Sequence, residues 1–236
     1  MTFAEKNWGN CEKAVAYQLN FVQLCYGYGN DCYDDYYNLC PHCGHATTQK
    51  KDYEYPKRGF SKKDYYLLDT YDYGVSCEMM EYMLSFGIAK DNFRPIFTRD
   101  HKNPLGYQIA PVYTLKSHVD IISYTKKKLI CSFCNKYEYE YPYDYFAVYD
   151  RAGYPVYISE NILGEIKAHH IVKTCEHKNV IISLKFYNYI IEKYPRIECR
   201  PVFLGDLKAD PEYIRLHKNE IRRKKFENLY KEHIDK

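Results

Sequence analysis

Two short segments, Cys40-Pro41-His42-Cys43-Gly44 and Cys131-Ser132-Phe133-Cys134, decide how this chain is organised. Each is a Cys-x-x-Cys knuckle, in which a tight turn points two thiolates at one ion, and two such turns complete the four-sulfur tetrahedron that Zn²⁺ prefers. Between Cys43 and Cys131 lie 87 residues, far more than the spacing within an ordinary zinc ribbon. We therefore predict a structural zinc site, formed by Cys40, Cys43, Cys131 and Cys134, that clips two halves of the chain together.

The same cysteines allow other interpretations. A single Cys-x-x-Cys is also the redox motif of thioredoxin-like proteins, in which a strand precedes the motif and a helix follows it. Here the second knuckle follows a Lys-rich segment and leads into an extended Tyr-rich run, which does not favour a redox role. His42 or His45 could replace a sulfur ligand, and Cys175 with His177 could form a second ligand cluster.

The composition is that of a globular protein with an unusual amount of tyrosine. The 236 residues suit one large or two small domains and can bury a core without disulfides. The 29 tyrosines are either a coding bias or contact residues, since Tyr is favoured at binding surfaces. The formal net charge of +3 gives no strong nucleic-acid signature.

The compartment is inferred from targeting signals and cysteine usage. The first residues show no basic segment followed by an apolar run, and no apolar run reaches the length of a membrane span. Ten cysteines in a chain without an export signal should be reduced. We expect a cytoplasmic protein with no membrane partner, in which the cysteines outside the knuckles are small buried residues.

Helices are predicted at both ends of the chain. Val15, Leu19, Val22 and Tyr26 form an apolar stripe within residues 3–26, so residues 1–29 are assigned to an N-terminal helix. The pair Asp210-Pro211 is a helix start, and residues 206–236 are assigned to a charged C-terminal helix.

Between the ends, short strands and capped helices are predicted. Ser76 caps a helix that stops at Gly87, Ser159 caps a helix over residues 160–169, and Ser183 caps one over residues 184–193. A turn is predicted at residues 103–106. Strands are predicted over residues 93–97, 107–115, 137–141, 147–149, 156–158, 179–182 and 199–203.

The chain also contains an internal repeat. Residues 75–97 align without a gap to residues 181–203, at an offset of 106, and Arg94-Pro95-Ile96-Phe97 then matches Arg200-Pro201-Val202-Phe203. Both segments are predicted as strand–helix–strand. We therefore predict an α+β fold with two related strand–helix–strand halves, residues 30–116 and 117–205, joined by a four-cysteine zinc knuckle pair and packed as one globular unit, with N- and C-terminal helices.

These motifs resemble those of the bacterial double-CXXCG-motif family and of related immunity proteins from polymorphic toxin systems. The resemblance covers residues 30–205 and rests on the CPHCG knuckle, a second knuckle about ninety residues later, and the repeated Arg-Pro segments. The second knuckle has Asn135 where the family pattern has Gly. The resemblance implies a protein that binds and neutralises a cognate toxin, such as a nuclease.

The sequence offers little support for catalysis. Four cysteines would close a zinc site, whereas catalytic zinc keeps one position open. No phosphate-binding Gly loop, GxSxG segment or Cys-His nucleophile pair is evident, so we expect no enzyme activity.

Acidic-aromatic segments are the candidate partner surface, because acids beside the rings repel phosphate and suit a basic protein partner. The alternative hypothesis is a zinc-ribbon nucleic-acid-binding or regulatory protein, although the acids make nucleic acid an unlikely ligand. The candidate contact residues are Tyr33, Tyr36, Tyr37, Tyr137, Glu138, Tyr139, Glu140 and Tyr141.

Overall fold

The computed structural model describes residues 2–8, 11–21, 36–56, 60, 62–68, 72–98, 103–115, 126–134, 136–140, 156–158, 160–174 and 179–204. Within these residues the protein is a mixed α+β fold, and none of the helices there is long and apolar enough to cross a membrane. The segment 206–236, predicted as a helix, lies outside the described residues.

The helices are α1 (Phe3–Trp8), α2 (Cys77–Ser85), α3 (Glu160–His169) and α4 (Leu184–Lys193), with a 3₁₀ turn at Lys90–Asn92. The strands are β1 (Ala14–Leu19), β2 (Tyr37–Leu39), β3 (Ala46–Gln49), β4 (Tyr53–Glu54), β5 (Tyr65–Leu67), β6 (Tyr73–Val75), β7 (Phe93–Phe97), β8 (Pro104–Ile109), β9 (Lys126–Cys131), β10 (Lys136–Glu140), β11 (Val156–Ile158), β12 (Ile171–Lys173), β13 (Val180–Ser183) and β14 (Cys199–Leu204).

The first five-stranded sheet is built from the middle of the chain, in the order β4-β7-β8-β6-β5. Its central strand, β8, is antiparallel to both β7 and β6. The edge strand β4 is parallel to β7, and the other edge strand, β5, is antiparallel to β6.

The second five-stranded sheet has the order β11-β14-β1-β13-β12. Its central strand is β1, which comes from the N-terminal region and is antiparallel to both β14 and β13. The edge strand β11 is parallel to β14, and β12 is antiparallel to β13. The direction of each pairing is therefore the same at corresponding places in the two sheets.

The central strand β1 corrects the predicted N-terminal helix. Helix α1 ends at Trp8, and residues 14–19 are a strand, so the helix expected over residues 3–26 is wrong there. Ala14, Ala16, Tyr17 and Leu19 are all buried, because a central strand is covered on both faces. A strand buried on both faces does not show the alternating apolar and polar residues of a half-buried strand. Periodicity alone therefore cannot distinguish it from a buried helix.

The other helices begin and end as predicted. The Ser76 hydroxyl accepts a hydrogen bond from the Met79 amide at 3.1 Å, and the Ser183 hydroxyl accepts one from the Phe186 amide at 3.2 Å. Gly87 follows α2 with a φ of +107°, a conformation that favours glycine. Helix α3 occupies residues 160–169, as the sequence indicates.

Strand β8 differs from its prediction at both ends. It begins at Pro104 and ends at Ile109, so the predicted turn at residues 103–106 is largely strand and the predicted strand to residue 115 is too long. Proline is tolerated at the first position of a strand, because its missing N–H is not needed there.

The main core contains residues of both sheets and of helices α2 and α4. Met79, Met80 and Met83 of α2 belong to the same buried cluster as Phe186 and its neighbours on α4. The two helices also contact each other directly, since the rings of Tyr82 and Tyr189 are stacked with centroids 4.5 Å apart. The two sheets are therefore joined through one apolar core.

The remaining face of each sheet is covered differently. Helix α3 covers the second sheet through the buried side chains of Ile162, Leu163 and Ile166. A tyrosine-rich cluster covers the first sheet, where the fully buried Tyr66 ring occupies the space that a side chain at Gly74 or Gly106 would need.

Candidate metal centre

The first knuckle is a turn between the paired strands β2 and β3. The Cys40 amide donates to the His45 carbonyl at 2.8 Å, and the Gly44 amide donates to the Cys40 carbonyl at 2.8 Å. Gly44 has a φ of +66°, a left-handed conformation that glycine adopts without strain. The glycine of the CPHCG motif therefore closes the turn that brings Cys40 and Cys43 together.

The second knuckle has a similar setting. Residues 132–134 form a turn between strands β9 and β10, and Cys131 is paired with Lys136 in their register. Each knuckle is thus followed by a strand and not by a helix. This is not the strand-then-helix context of a thioredoxin-like dithiol, so the metal interpretation is favoured over the redox-motif interpretation.

The two knuckles meet, and their four sulfur atoms lie within 4.8 Å of one another. The Sγ atoms of Cys40 and Cys131 are 3.8 Å apart, and those of Cys43 and Cys134 are 3.6 Å apart. Four Zn–S bonds of about 2.3 Å in a tetrahedron give sulfur–sulfur separations of about 3.8 Å. The predicted ligands are therefore close enough to hold one metal ion, and the cross-knuckle distances suit zinc.

The four thiols differ in their access to solvent. Cys40 and Cys131 are buried, with 3% and 6% of their surface exposed, whereas Cys43 and Cys134 are half-buried. We call Cys40 and Cys131 the inner pair and Cys43 and Cys134 the outer pair.

The surroundings of Cys40 favour the thiolate form that binds metals. Burial by itself raises the pKa of this thiol, but hydrogen bonds from the backbone amides of His42 and Cys43, and from the thiols of Cys134 and Cys43, outweigh it. The net effect lowers the pKa of Cys40 to about 6. A thiolate at neutral pH needs no proton release when a metal binds.

The histidines considered as substitute ligands do not belong to this cluster. Among the described residues, the candidate ligand group consists of the four cysteines alone. His42 is exposed, and its ring packs against that of Phe133 at 4.5 Å between centroids, while His45 is also exposed. Cys175 and His177, predicted as a possible second cluster, lie outside the described residues.

Exposed apolar side chains are adjacent in sequence to the four cysteines. Leu39 and Ile130 precede the first cysteine of each knuckle and are 37% and 41% exposed. Phe133, at the same position in its knuckle as His42, is 65% exposed. We call Leu39, His42, Ile130 and Phe133 the knuckle face. This surface was not predicted from the sequence, although the same two positions recur in both knuckles.

The tyrosines proposed from the sequence as partner contacts are placed differently. Tyr36 and Tyr37 are buried, with 4% and 3% of their surface exposed, in the cluster that covers the first sheet. The Tyr37 hydroxyl contacts that of Tyr53 at 2.9 Å, and Tyr53 donates to the Asp72 carboxylate at 2.6 Å. These rings are therefore structural. Strand β10 contains Tyr137, Glu138, Tyr139 and Glu140, but their side chains, and all of Tyr33 and Tyr141, lie outside the described structure.

The chain has no match among the known proteins with which it was compared. No protein-family model, no curated protein and no solved structure matches it.

Proposed function

We propose that this protein is a non-catalytic immunity protein, in which a structural zinc ion at Cys40, Cys43, Cys131 and Cys134 fixes a surface that binds and neutralises a cognate toxin domain in the cytoplasm. The observation that carries the proposal is the position of the knuckle face around a four-cysteine centre. A turn held by a metal ion presents its side chains in one conformation. Less conformational entropy of the turn is therefore lost when a partner binds it.

The ligand set supports a structural role for the metal. Four cysteine sulfurs would occupy all four tetrahedral positions and leave none for water or substrate. The two inner sulfurs are buried, and each knuckle comes from a different part of the chain. The zinc would therefore act by tying together segments that are 91 positions apart.

The knuckle face replaces the tyrosine segment at residues 33–37 as the proposed contact surface. Aromatic residues near the centre of an interface commonly carry much of the binding energy, and Phe133 is the most exposed large apolar side chain among the described residues. Tyr36 and Tyr37 are buried and support the fold instead.

The test is co-expression with the toxin domain encoded beside the gene. The wild-type protein should rescue the cells, and Phe133→Ala should weaken binding by about 2 kcal/mol or more, the range of interface hot spots. The matched control is Val112→Ala, since Val112 is 64% exposed and lies away from the knuckles in sequence. Loss of rescue in both variants, or in neither, would contradict the proposed surface, and a wild-type protein that neither binds nor rescues would contradict the immunity function.

We also propose that the two sheets are copies produced by internal duplication. Their strand orders and pairing directions correspond one to one. In the first sheet Arg94 pairs with Gln108 and Pro95 with Tyr107; in the second, Arg200 pairs with Gln18 and Pro201 with Tyr17. The Tyr-Gln pair thus recurs opposite the repeated Arg-Pro pair.

The helix caps also revise the alignment of the two repeated segments. The gap-free alignment set Cys77 against Ser183, whereas the cap hydrogen bonds make Ser76 the equivalent of Ser183. The buried residues of α2, Met79, Met80 and Met83, then match Phe186, Tyr187 and Ile190 of α4. Helix α4 is one residue longer than α2, but the segment from the helix end to the Arg-Pro strand is two residues shorter in the second copy, so the offset of 107 at the caps becomes 106 at the Arg-Pro strands.

The central strands indicate how the copies are connected. Tyr17 and Tyr107 are 90 positions apart, and Cys40 and Cys131 are 91 apart, so each copy reads as a central strand followed by its knuckle. The central strand of the first copy lies in the second sheet, and that of the second copy lies in the first. We therefore propose a tandem duplication in which the two copies exchange their central strands.

One observation favours the second candidate function, nucleic-acid binding through the knuckles. Both knuckles lie in runs without any acid, residues 36–51 and 121–137, and the exposed His42–Phe133 ring pair resembles a platform for base stacking. Binding of a labelled oligothymidylate that weakens steeply with added salt and is lost in Phe133→Ala would support this function. The lysines in those runs are Lys50, Lys51, Lys126, Lys127, Lys128 and Lys136.

A further inference from the structure

The four cysteines of the metal centre form two cross-knuckle pairs with different access to solvent. In both pairs the partners are 91 positions apart and occupy the same place in their knuckles. The outer pair, Cys43 and Cys134, has the shorter sulfur–sulfur distance, 3.6 Å, and both of its thiols are half-buried. The inner pair, Cys40 and Cys131, is buried. A small oxidant in solution therefore reaches the outer pair first.

We propose that the outer pair is a redox modification site, at which a hydroperoxide forms a disulfide between Cys43 and Cys134 and expels the zinc ion. Bond formation requires the two sulfurs to approach from 3.6 Å to about 2 Å. The release of zinc rests on the proposed metal site, whereas the cross-link depends only on the sulfur positions.

The reaction balances with hydrogen peroxide as the oxidant. The Cys43 thiolate attacks one peroxide oxygen, the O–O bond breaks, and hydroxide leaves to form water with one proton while the cysteine becomes a sulfenic acid. The Cys134 thiolate then attacks that sulfur, an S–S bond forms, and the hydroxyl group leaves with a second proton as a second water. Two cysteines lose two electrons in total, the peroxide gains them, and the centre loses two of its four anionic ligands.

The effect on the fold depends on which two cysteines are cross-linked. A disulfide within one knuckle would leave the two knuckles separate once zinc departs. A Cys43–Cys134 disulfide keeps them joined across the same 91 positions that the metal ties together. The protein would therefore exchange a metal link for a covalent link, and the tie between its halves would survive oxidation and be reversed by a thiol reductant.

The other described cysteines provide a matched comparison. Cys11 and Cys77 are also half-buried, but burial raises the pKa of each thiol, and nearby acids raise it further. Their thiolate populations at neutral pH are correspondingly small, which disfavours their attack on a peroxide.

The experiment treats the zinc-loaded full chain with hydrogen peroxide, follows released zinc with a chromogenic chelator, and maps disulfides in peptides prepared without reductant. We expect one zinc released for each Cys43–Cys134 cross-link and recovery of zinc binding after reduction. Cys77→Ser should behave like wild type, and Cys134→Ser should yield no cross-link at Cys43. A predominance of Cys40–Cys43 or Cys131–Cys134 disulfides, or of sulfinic and sulfonic acids, would overturn the proposal.

A second measurement does not depend on any variant being folded. Thermal melts of wild-type protein are compared in the zinc-loaded, the reduced and chelated, and the oxidised zinc-free forms. The oxidised form should have a much higher melting temperature than the reduced, chelated form. Neither form contains zinc, but only the oxidised form has a disulfide that links the two knuckles. Equal melting of these two forms would overturn the proposal. If the purified chain holds no zinc, the metal proposal fails, while peptide mapping still decides the cross-link.

Discussion

The Tyr73 hydroxyl donates a hydrogen bond to the Leu19 carbonyl at 2.8 Å, although Tyr73 belongs to the first sheet and Leu19 to the second. Phe21 packs against the rings of Tyr65 and Tyr73 beside this bond. The contact between the sheets is therefore polar as well as apolar, and it depends on β1 lying in the second sheet.

Replacing Tyr73 by Phe tests this link. The variant keeps the ring but leaves the Leu19 carbonyl without this donor, so we expect a loss of about 1–2 kcal/mol in the free energy of unfolding. The control is Tyr187→Phe, because the buried Tyr187 hydroxyl makes no well-formed hydrogen bond among the described residues and interacts only weakly with Thr2. Denaturant titration should show a loss for Tyr73→Phe and little change for the control. Equal effects would show that the hydroxyl of Tyr73 contributes nothing specific.

Stability should fall at alkaline pH. Burial raises the pKa of Tyr65, Tyr73 and Tyr187 to about 12, above the ordinary value of 10.0, and it raises the pKa of Tyr17 further. Because the folded state holds the neutral phenols, their contribution is fully present below pH 10 and is lost as pH rises towards 12. Denaturant titrations across this range should show the decline. A Tyr65→Phe, Tyr73→Phe double variant should show a shallower one, and an unchanged slope would contradict the assignment.

Removal of one metal ligand should affect both metal content and stability. Wild-type protein should contain about one zinc per chain. Cys131→Ser should lose most of it and about 3 kcal/mol of stability, equivalent to roughly 10 °C in melting temperature for a chain of this size. Cys77→Ser is the control, since Cys77 is a half-buried cysteine outside the metal centre. Full metal content in Cys131→Ser, together with an unchanged melting temperature, would contradict a shared site.

The two helix caps should have similar but unequal effects. Ser76→Ala and Ser183→Ala each remove the side-chain acceptor of an N-terminal amide, which costs about 1 kcal/mol. Each hydroxyl has a second partner, Asp64 at 3.2 Å for Ser76 and His170 Nδ1 at 2.9 Å for Ser183. However, Ser183 is buried and Ser76 is partly exposed, so replacing Ser183 should cost more. Urea denaturation of both variants measures the difference. A larger effect at Ser76 would contradict this interpretation.

Two glycine-to-alanine changes should have opposite signs. At Gly74 the added methyl group overlaps the ring of the buried Tyr66, so Gly74→Ala should destabilise the protein by about 2 kcal/mol or more. At Gly164, inside α3, the methyl group meets nothing within 4 Å, and Gly164→Ala should stabilise the protein by about 0.5–1 kcal/mol. Thermal melts of the two variants measure both changes in stability. Destabilisation by both variants would show that a methyl group at Gly164 is not accommodated.

Features that depend on neighbouring residues were predictable from the order of the amino acids alone. The caps at Ser76 and Ser183, the helices that follow them and the turn at Gly44 each involve contacts over three to five positions, so local chemistry specifies them. The pairing of four cysteines into one centre was also predictable, because zinc requires four ligands and each knuckle supplies two.

The way these elements combine depends on long-range packing, which local sequence does not reveal. Strand β1 pairs with residues more than 160 positions away, and burial of all its residues except the half-buried Val15 removed the periodic signal, so it was predicted as a helix. Tyrosine can be either buried or exposed, because its ring is apolar and its hydroxyl needs one polar partner. The sequence around Tyr36 and Tyr37 therefore suggested a surface, whereas packing against the first sheet placed both rings in the core and left Phe133 exposed beside the metal centre.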